Sequence, residues 1–477
     1  MTLVVDSRND FTLEAYRRVV WRKEPAQFSD ASISRMRECR AQFMSLLENG
    51  PDIVIYGVTT GYGQMAKYRL DAVARAAQAA RPPRAAAASF GESLPQRVIR
   101  GIVFARLVNY VEGHAAISPE LAVAVARMLS EETLPSVPAH GASSAGEILG
   151  LAHLFSSLAE GFDLKEKDSL CLINGAPCAA ALIADASLAA GARLQLAINV
   201  FTLSAEAMNA PTEAYDEALE DLWGDEFEAD ILGAMRTALY GGTSPRRPYQ
   251  APVSFRALPR VLGQAARAVS QAEEVASIGL RSVTDNPVYL APDDTHPAGR
   301  VLSNGGYHNA SAYPALDNLA ASWADLALVC DRQINRLLDG NVSLLPDHLI
   351  SEGGGYIGCL GFVSTDFAEQ ARHAAQRTFL PGSEGGGFSQ NDLAVPTIAA
   401  WRKENEAARC LEANLAILSA VASQALHVTG REAPPALTSL LNSVREVYPP
   451  IDMQRAPGPD AGALAVHFAR EIFDEPD

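Results

Sequence analysis

The sequence is short of cysteine, of positive charge and of uninterrupted apolar runs, and each shortage excludes something. Six cysteines occur in 477 residues (Cys39, Cys171, Cys178, Cys330, Cys359, Cys410), and none forms a CxxC pair. No disulfide framework or thiolate metal site is expected; the scatter suits reduced thiols in a core. The nine histidines never fall in an HExxH or CxxC context, so no metal is expected. Lys and Arg number 39 against 56 Asp and Glu, a formal net charge of −17 with a pI near 5.0. That balance argues against nucleic acid and anionic membranes as partners. Arg81, Arg84, Arg246 and Arg247 sit in proline-containing stretches. Each reads as a solvated loop arginine, with a local cationic pocket as the alternative. The most apolar stretch, 170–194, carries Asn174, Asp185 and Arg193, and reads as a buried helix, not a membrane span. Residues 1–6 show no basic start followed by a long apolar run; no signal peptide is expected and the chain reads as cytoplasmic.

What is present is helix-forming. Hydrophobic residues make up 48% and charged residues 20%, a globular composition. Alanine dominates the apolar fraction, which favours helix. Val98, Ile102, Ala105 and Val108 recur at three- and four-residue spacing, and similar stripes run through 198–208, 261–278 and 316–338. The last predicts a long helix starting near Asp317, with Arg332 and Arg336 toward its C-terminal end, where the helix dipole favours cations. Such stripes read as core packing. Glycine-bearing interruptions at 141–150, 241–242, 305–306, 353–355 and 385–387 separate the helices. Long helices with irregular joints predict an all-α bundle whose polar sites lie at the breaks. Three consecutive regions are expected: 1–110 with glycine-rich loops, a central bundle over 111–440, and a C-terminal tail and helix over 441–477.

Several segments carry a resemblance. Tyr56-Gly57-Val58-Thr59-Thr60-Gly61-Tyr62-Gly63 is similar to YGxNTGFG. Pro135-Ser136-Val137-Pro138 precedes a Gly/Ala/Ser run and Leu151-Ala152-His153-Leu154. Leu172-Ile173-Asn174-Gly175 follows, then Gln250-Ala251-Pro252-Val253-Ser254-Phe255-Arg256 and Pro259-Arg260-Val261-Leu262-Gly263. Thr284-Asp285-Asn286-Pro287, Gly305-Gly306-Tyr307-His308 and Asp317-Asn318-Leu319 complete the series. In order and spacing, over roughly residues 40–430, the set resembles the aromatic amino-acid lyase family, the histidine, phenylalanine and tyrosine ammonia-lyases and aminomutases.

The resemblance implies an all-α fold of the ammonia-lyase (fumarase/aspartase-like) type, with a long central bundle and a smaller N-terminal region carrying active-site loops. It implies a homotetramer with active sites shared between subunits. It also implies an electrophile, methylidene-imidazolone (MIO), made by cyclisation of an internal Ala-Ser-Gly, which activates a poor amine leaving group covalently. On this resemblance Tyr56 matches the general base, and Arg256 matches the arginine that clamps a substrate carboxylate. Asn174 matches the asparagine beside the amine and the prosthetic ring. Tyr307 and Asn391 complete the expected substrate-binding set.

The departures matter as much. Counting back from Leu151-Ala152-His153, the Ala-Ser-Gly position falls on Ser144-Ala145-Gly146, whose middle residue has no hydroxyl to lose. A second register, Ala142-Ser143-Ser144, keeps Ala-Ser but places a Cβ where cyclisation wants glycine. No MIO is therefore expected, and no other cofactor. Val253 stands where the family has a second tyrosine, and the lid motif aligns near 85–88 without histidine or tyrosine. The family glutamate that helps bind histidine is Asn391, within Gln390-Asn391-Asp392. Imidazole is thus not the expected substrate. Three readings stay open. The first is an electrophile-free enzyme acting on a small amino-acid-like carboxylate by elimination, addition or cyclisation in a specialised biosynthetic pathway. The second is an MIO-dependent lyase or aminomutase on a non-histidine aromatic amino acid. The third is a non-catalytic partner of an active paralogue.

Overall fold

The computed structural model describes residues 2–50, 52–382 and 391–473. The expected all-α class holds: among the described residues the strands are four three-residue segments, Leu3–Val5 beside Ala26–Phe28 in parallel and Val288–Leu290 against Arg300–Leu302 in antiparallel. Four helices dominate, Pro177–Ala207, Leu258–Arg281, Ala312–Leu338 and Thr397–Val428. The stripe expected to start near Asp317 begins five residues earlier, at Ala312.

The chain divides into two compact units, each assembled from three stretches. The first comprises 1–188, 272–315 and 378–402; the second comprises 189–271, 316–377 and 403–477. Neither coincides with the consecutive segments 1–110, 111–440 and 441–477.

In the first unit the helix Gln96–Leu107 is buried at every position from Val98 on. Its apolar faces pack Phe104 against Phe11 at 5.1 Å between ring centroids. Tyr16 is fully buried, and its Oη donates to the Ala181 main-chain oxygen at 3.1 Å. Buried Asp185 accepts from Arg97 Nε and Trp21 Nε1, each at 2.9 Å, so a charge inside the apolar run is matched.

The run 170–194 is not one helix. A short helix, Asp168–Ile173, ends at Asn174, which is extended, and Gly175 follows at φ +100°. A Cβ on Gly175 would meet Thr284 Oγ1 at 2.9 Å and Arg106 Nη2 at 3.0 Å. Pro177 then opens the next helix, as proline does at a first helical position. This joint brings Asn174 and Gly175 to the wall of the site described below.

In the second unit buried polar cross-links tie helices together. Arg193 Nε donates to Glu412 at 2.8 Å, Trp323 Nε1 donates to Glu404 at 2.8 Å, and Asn414 Nδ2 donates to the main-chain oxygens of Ala327 and Ser364, each at 3.2 Å. The loop arginines have their own contacts: Arg246 pairs with buried Glu206 at 2.7 Å, Arg247 donates to Val342 O at 3.1 Å, and exposed Arg84 pairs with Glu160. The C-terminal stretch forms the helices Thr438–Val447 and Gly458–Ile472.

The windows of 168–207 and Thr397–Val428 are apolar enough to cross a membrane by length and composition alone, but are 89% and 83% buried within the protein. They are core helices. Four cysteines are buried as expected, Cys39 is half-buried and Cys359 is exposed. Among the described residues no cluster of His, Cys, Asp and Glu could hold a metal.

Candidate active site

The tyrosine loop is a knot of short-range bonds. Thr59 N donates to Ile55 O at 2.9 Å, while Thr59 Oγ1 accepts from Ile55 N at 2.7 Å and donates to Ile53 O at 2.9 Å. These contacts fold the apolar run 53–56 into a turn. Gly57 stands at φ +67°, and a Cβ there would come within 2.9 Å of both Leu170 Cδ2 and Tyr62 Cε1, so only glycine fits. The loop is tied to the helix Ala72–Ala79 by Gln78 Nε2, which donates to the oxygens of Gly57 and Thr60, each at 3.1 Å. Tyr56 Oη accepts from Gly63 N at 3.2 Å. A main-chain donor aimed at this oxygen is the contact a phenolate would use.

Asn174 sits on the joint between helices. Its Nδ2 donates to Asn286 O, and its main-chain oxygen accepts from Arg106 Nη1. The 284–286 segment is held in turn by Asn109 Oδ1, which accepts from Thr284 N at 2.7 Å and Asp285 N at 3.0 Å. Asn286 Oδ1 accepts from Asn304 N at 2.8 Å. Beneath lies a fully buried ion pair, Lys167 Nζ to Asp285 Oδ2 at 2.5 Å. Burial opposes the lysine charge, yet Asp285 and Cys171 raise its pKa above the ordinary value.

The segment 142–146, expected to depart from the family's Ala-Ser-Gly, forms a tight turn before the helix Ile148–Ala159. Ser144 and Gly146 form a bridge, Ser144 Oγ donates to Gly146 O at 2.8 Å, and Ser144 O accepts from Val395 N at 3.0 Å. Gly146 has φ +78°, and Tyr307 packs against it so that a Cβ would fall 3.1 Å from Tyr307 Cδ2. The residue at the turn's tip is Ala145.

These elements enclose a cavity of about 420 Å³. Of the residues singled out in the sequence, Tyr56, Asn174, Tyr307, Asn391, Ala145 and Gly146 line it. Ala142, Ser143 and Ser144 are not among its lining residues; Ser143 is exposed and Ser144 is buried behind the turn. Arg256 is not among them either. It ends the short helix Val253–Arg256 in the second unit, half-buried, and its Nε donates to Ala251 O at 3.0 Å. Val253, expected at the position of the family's second tyrosine, is 65% exposed. Of the lid stretch 85–88, Ala86 reaches the cavity. Gln390 and glycines 385–387 lie outside the described residues.

Sequence reasoning did not single out several wall residues: Tyr62, Gln64, Glu147, Asn286 and Asn304. Tyr62 lay inside a motif already quoted. Glu147 gave no signal beyond following Gly146. It is buried, and its two carboxyl oxygens accept from the main-chain nitrogens of Cys178 and Ala179, the latter at 2.6 Å. Burial pushes its carboxyl up to about 7, against the pull of those N–H groups and of Arg106.

Comparison with known proteins identifies a family and a fold. A family model described as aromatic amino acid lyase matches residues 11–162 and 159–446. The histidine ammonia-lyase of Geobacillus thermodenitrificans is 27% identical, covering 97% of this chain and 96% of its own. The MIO-dependent tyrosine 2,3-aminomutase of Streptomyces globisporus is also 27% identical, covering 97% and 94%. A crystal structure of tyrosine aminomutase from Streptomyces globisporus matches with a TM-score of 0.86 at 23% identity, over 99% of this chain and 98% of that one.

Proposed function

The chain belongs to the aromatic amino acid lyase family and is a lyase-family enzyme; from that premise we propose that it works without the family's electrophile, eliminating an α substituent from an arylpropanoate-like carboxylate whose departure needs no covalent activation. The observation that carries this reading is Ala145 at the cavity wall. The methylidene of MIO derives from the hydroxyl-bearing carbon of the middle residue, and Ala145 has only a methyl group there. Ser143, the serine of the alternative register, is exposed and off the cavity. The residues present do not suit the group.

The remaining residues supply a direct elimination. Tyr56, as general base, takes the Cβ proton. The C–H electron pair becomes the new double bond, and the α substituent departs with the Cα bond pair. Asn174 orients the polar end of the substrate through an amide fixed by Asn286. Arg256 holds the substrate carboxylate in the cavity of a neighbouring copy, in a homotetramer with shared sites. That assignment accounts for its absence from the wall of its own chain's cavity.

A panel of L-phenylalanine, L-tyrosine and 2-chloro-3-phenylpropanoate, followed by the absorbance of cinnamate-type products, tests this. The expected result is turnover of the chloride and neither amino acid, with Tyr56→Phe lowering the rate about 10²- to 10⁴-fold. Turnover of phenylalanine or tyrosine that is stopped by Ser143→Ala would establish instead the MIO-dependent reading.

A further inference from the structure

One of the residues that line the cavity, Glu147, carries a buried carboxyl group with no part in the chemistry above. Glu147 directly follows Gly146 and so begins where the rewritten turn ends. It reaches the head of the helix Pro177–Ala207, where Cys178 N and Ala179 N hold one carboxyl oxygen each. The two bonds fix the side chain's position, and each oxygen retains a lone pair for a proton. The geometry points to Glu147 as the general acid of this site, delivering a proton to the departing substituent. This deepens the electrophile-free reading and rests on it.

The environment suits a group that gives up a proton and then carries charge. The charged and titratable groups facing Glu147 are the Arg106 guanidinium, from Gln96–Leu107, and the Cys178 thiol. Burial and Glu147 itself hold that thiol far above its ordinary range, so it stays protonated. Arg106 is fully buried, and its Nε and Nη2 have no hydrogen-bond partner among the described residues. Once Glu147 has lost its proton, the guanidinium and the two N–H groups stabilise the carboxylate. Burial opposes that charge and keeps the carboxyl protonated in part near pH 7.

The assignment constrains the substrate. An ammonium group already carries its proton and needs no acid. A group leaving through oxygen does, since hydroxide and alkoxide are poor leaving groups and water and alcohols are not. The step balances: Tyr56 gains the Cβ proton, Glu147 loses its own to the substituent, and the products are an unsaturated carboxylate and water or an alcohol. Exchange with solvent resets both residues. The substrate class is therefore an O-substituted arylpropanoate rather than an amino acid.

The test compares two probes in the full-length protein, 2-hydroxy-3-phenylpropanoate and 2-chloro-3-phenylpropanoate, both giving cinnamate. Chloride leaves unprotonated. Glu147→Gln is expected to lower kcat/KM for the hydroxyl probe about 10²-fold or more beyond its effect on the chloride probe. Glu147→Asp, which keeps an acid, should recover part of that difference. In the unaltered enzyme the hydroxyl reaction should fall as pH rises through about 7, and the chloride reaction should lack that limb. This comparison stands even if the variants fail to fold. Equal losses on both probes, or identical pH profiles, would make Glu147 a helix cap and overturn the assignment. Elimination of chloride but never of hydroxyl would do the same while leaving the electrophile-free reading intact. Turnover of neither probe would overturn both. Infrared difference spectra of the unaltered protein minus Glu147→Gln should show a carboxylic-acid carbonyl band at pH 6; its absence excludes a proton to donate, whatever the kinetics.

Discussion

Ser144 Oγ donates to the main-chain oxygen of Gly146 at 2.8 Å, closing a turn with Ala145 at its tip. The side chain of Ser144 therefore points back into the turn, and the methyl-bearing residue meets the cavity. On the proposed reading this tight turn stands at the family's cofactor position and lacks one hydroxyl. Restoring Ala-Ser-Gly with Ser144→Ala and Ala145→Ser together should then let the segment cyclise and lose two waters, which intact-mass measurement would detect. An unmodified double variant would mean that the turn is not shaped for ring closure.

Arg256 and Tyr56 are expected to serve one reaction from different copies of the chain. Arg256→Ala and Tyr56→Phe should each be inactive, and refolding the two together should restore part of the turnover in the mixed assemblies. Mixtures no more active than their components would place both residues in one copy's site, or remove Arg256 from it.

The tyrosine loop depends on glycine at 57. Gly57→Ala adds a Cβ 2.9 Å from Leu170 and Tyr62 at a positive φ, costing more than about 1 kcal/mol. Calorimetry should show a lower Tm, and turnover should fall with it as Tyr56 shifts. An unchanged Tm would show that the loop relaxes freely.

The Lys167–Asp285 pair anchors the segment that carries Asn286. Asp285→Ala leaves a buried ammonium without its partner and should cost about 3–5 kcal/mol in denaturant unfolding. Lys167→Met with Asp285→Leu should be much milder, because both charges are gone. Equal losses would point to packing rather than charge.

Glu147 makes stability pH-dependent in a direction unusual for a carboxylate. Its pKa rises from 4.5 to about 7 on folding, so the native state binds more protons than the unfolded one between those values. Stability therefore falls as pH rises through that window, by a few kcal/mol at most on the order of the shift, roughly 1.4 kcal/mol per unit. Relative to Glu147→Gln, the unaltered protein should lose stability between pH 4.5 and 7. A flat difference would mean that the carboxyl titrates normally.

Much of this was legible in the sequence for a physical reason. Tyr56, Asn174, Ala145 and Gly146 all sit at joints where glycine permits backbone that a helix cannot adopt, and such joints are local signals. Helical periodicity identified the core faces as well. It failed at 170–194, where apolar residues run on across the break, although Gly175 and Pro177 marked it. Glu147 was missed because its part depends on the nitrogens of Cys178 and Ala179, some thirty residues away. Periodicity tells which face is buried but not what it meets. Arg256 was placed by its motif alone, and it is not among the described residues that line the cavity.

The central claim is that this enzyme works without the electrophile of its family. The intact mass of the purified protein, with an ultraviolet spectrum beside it, tests that most directly. The account predicts the unmodified mass of the chain and no absorbance beyond that of its aromatic residues. A mass short by two waters, with the added absorbance of a conjugated ring, would contradict it and restore ammonia-lyase or aminomutase chemistry to this cavity.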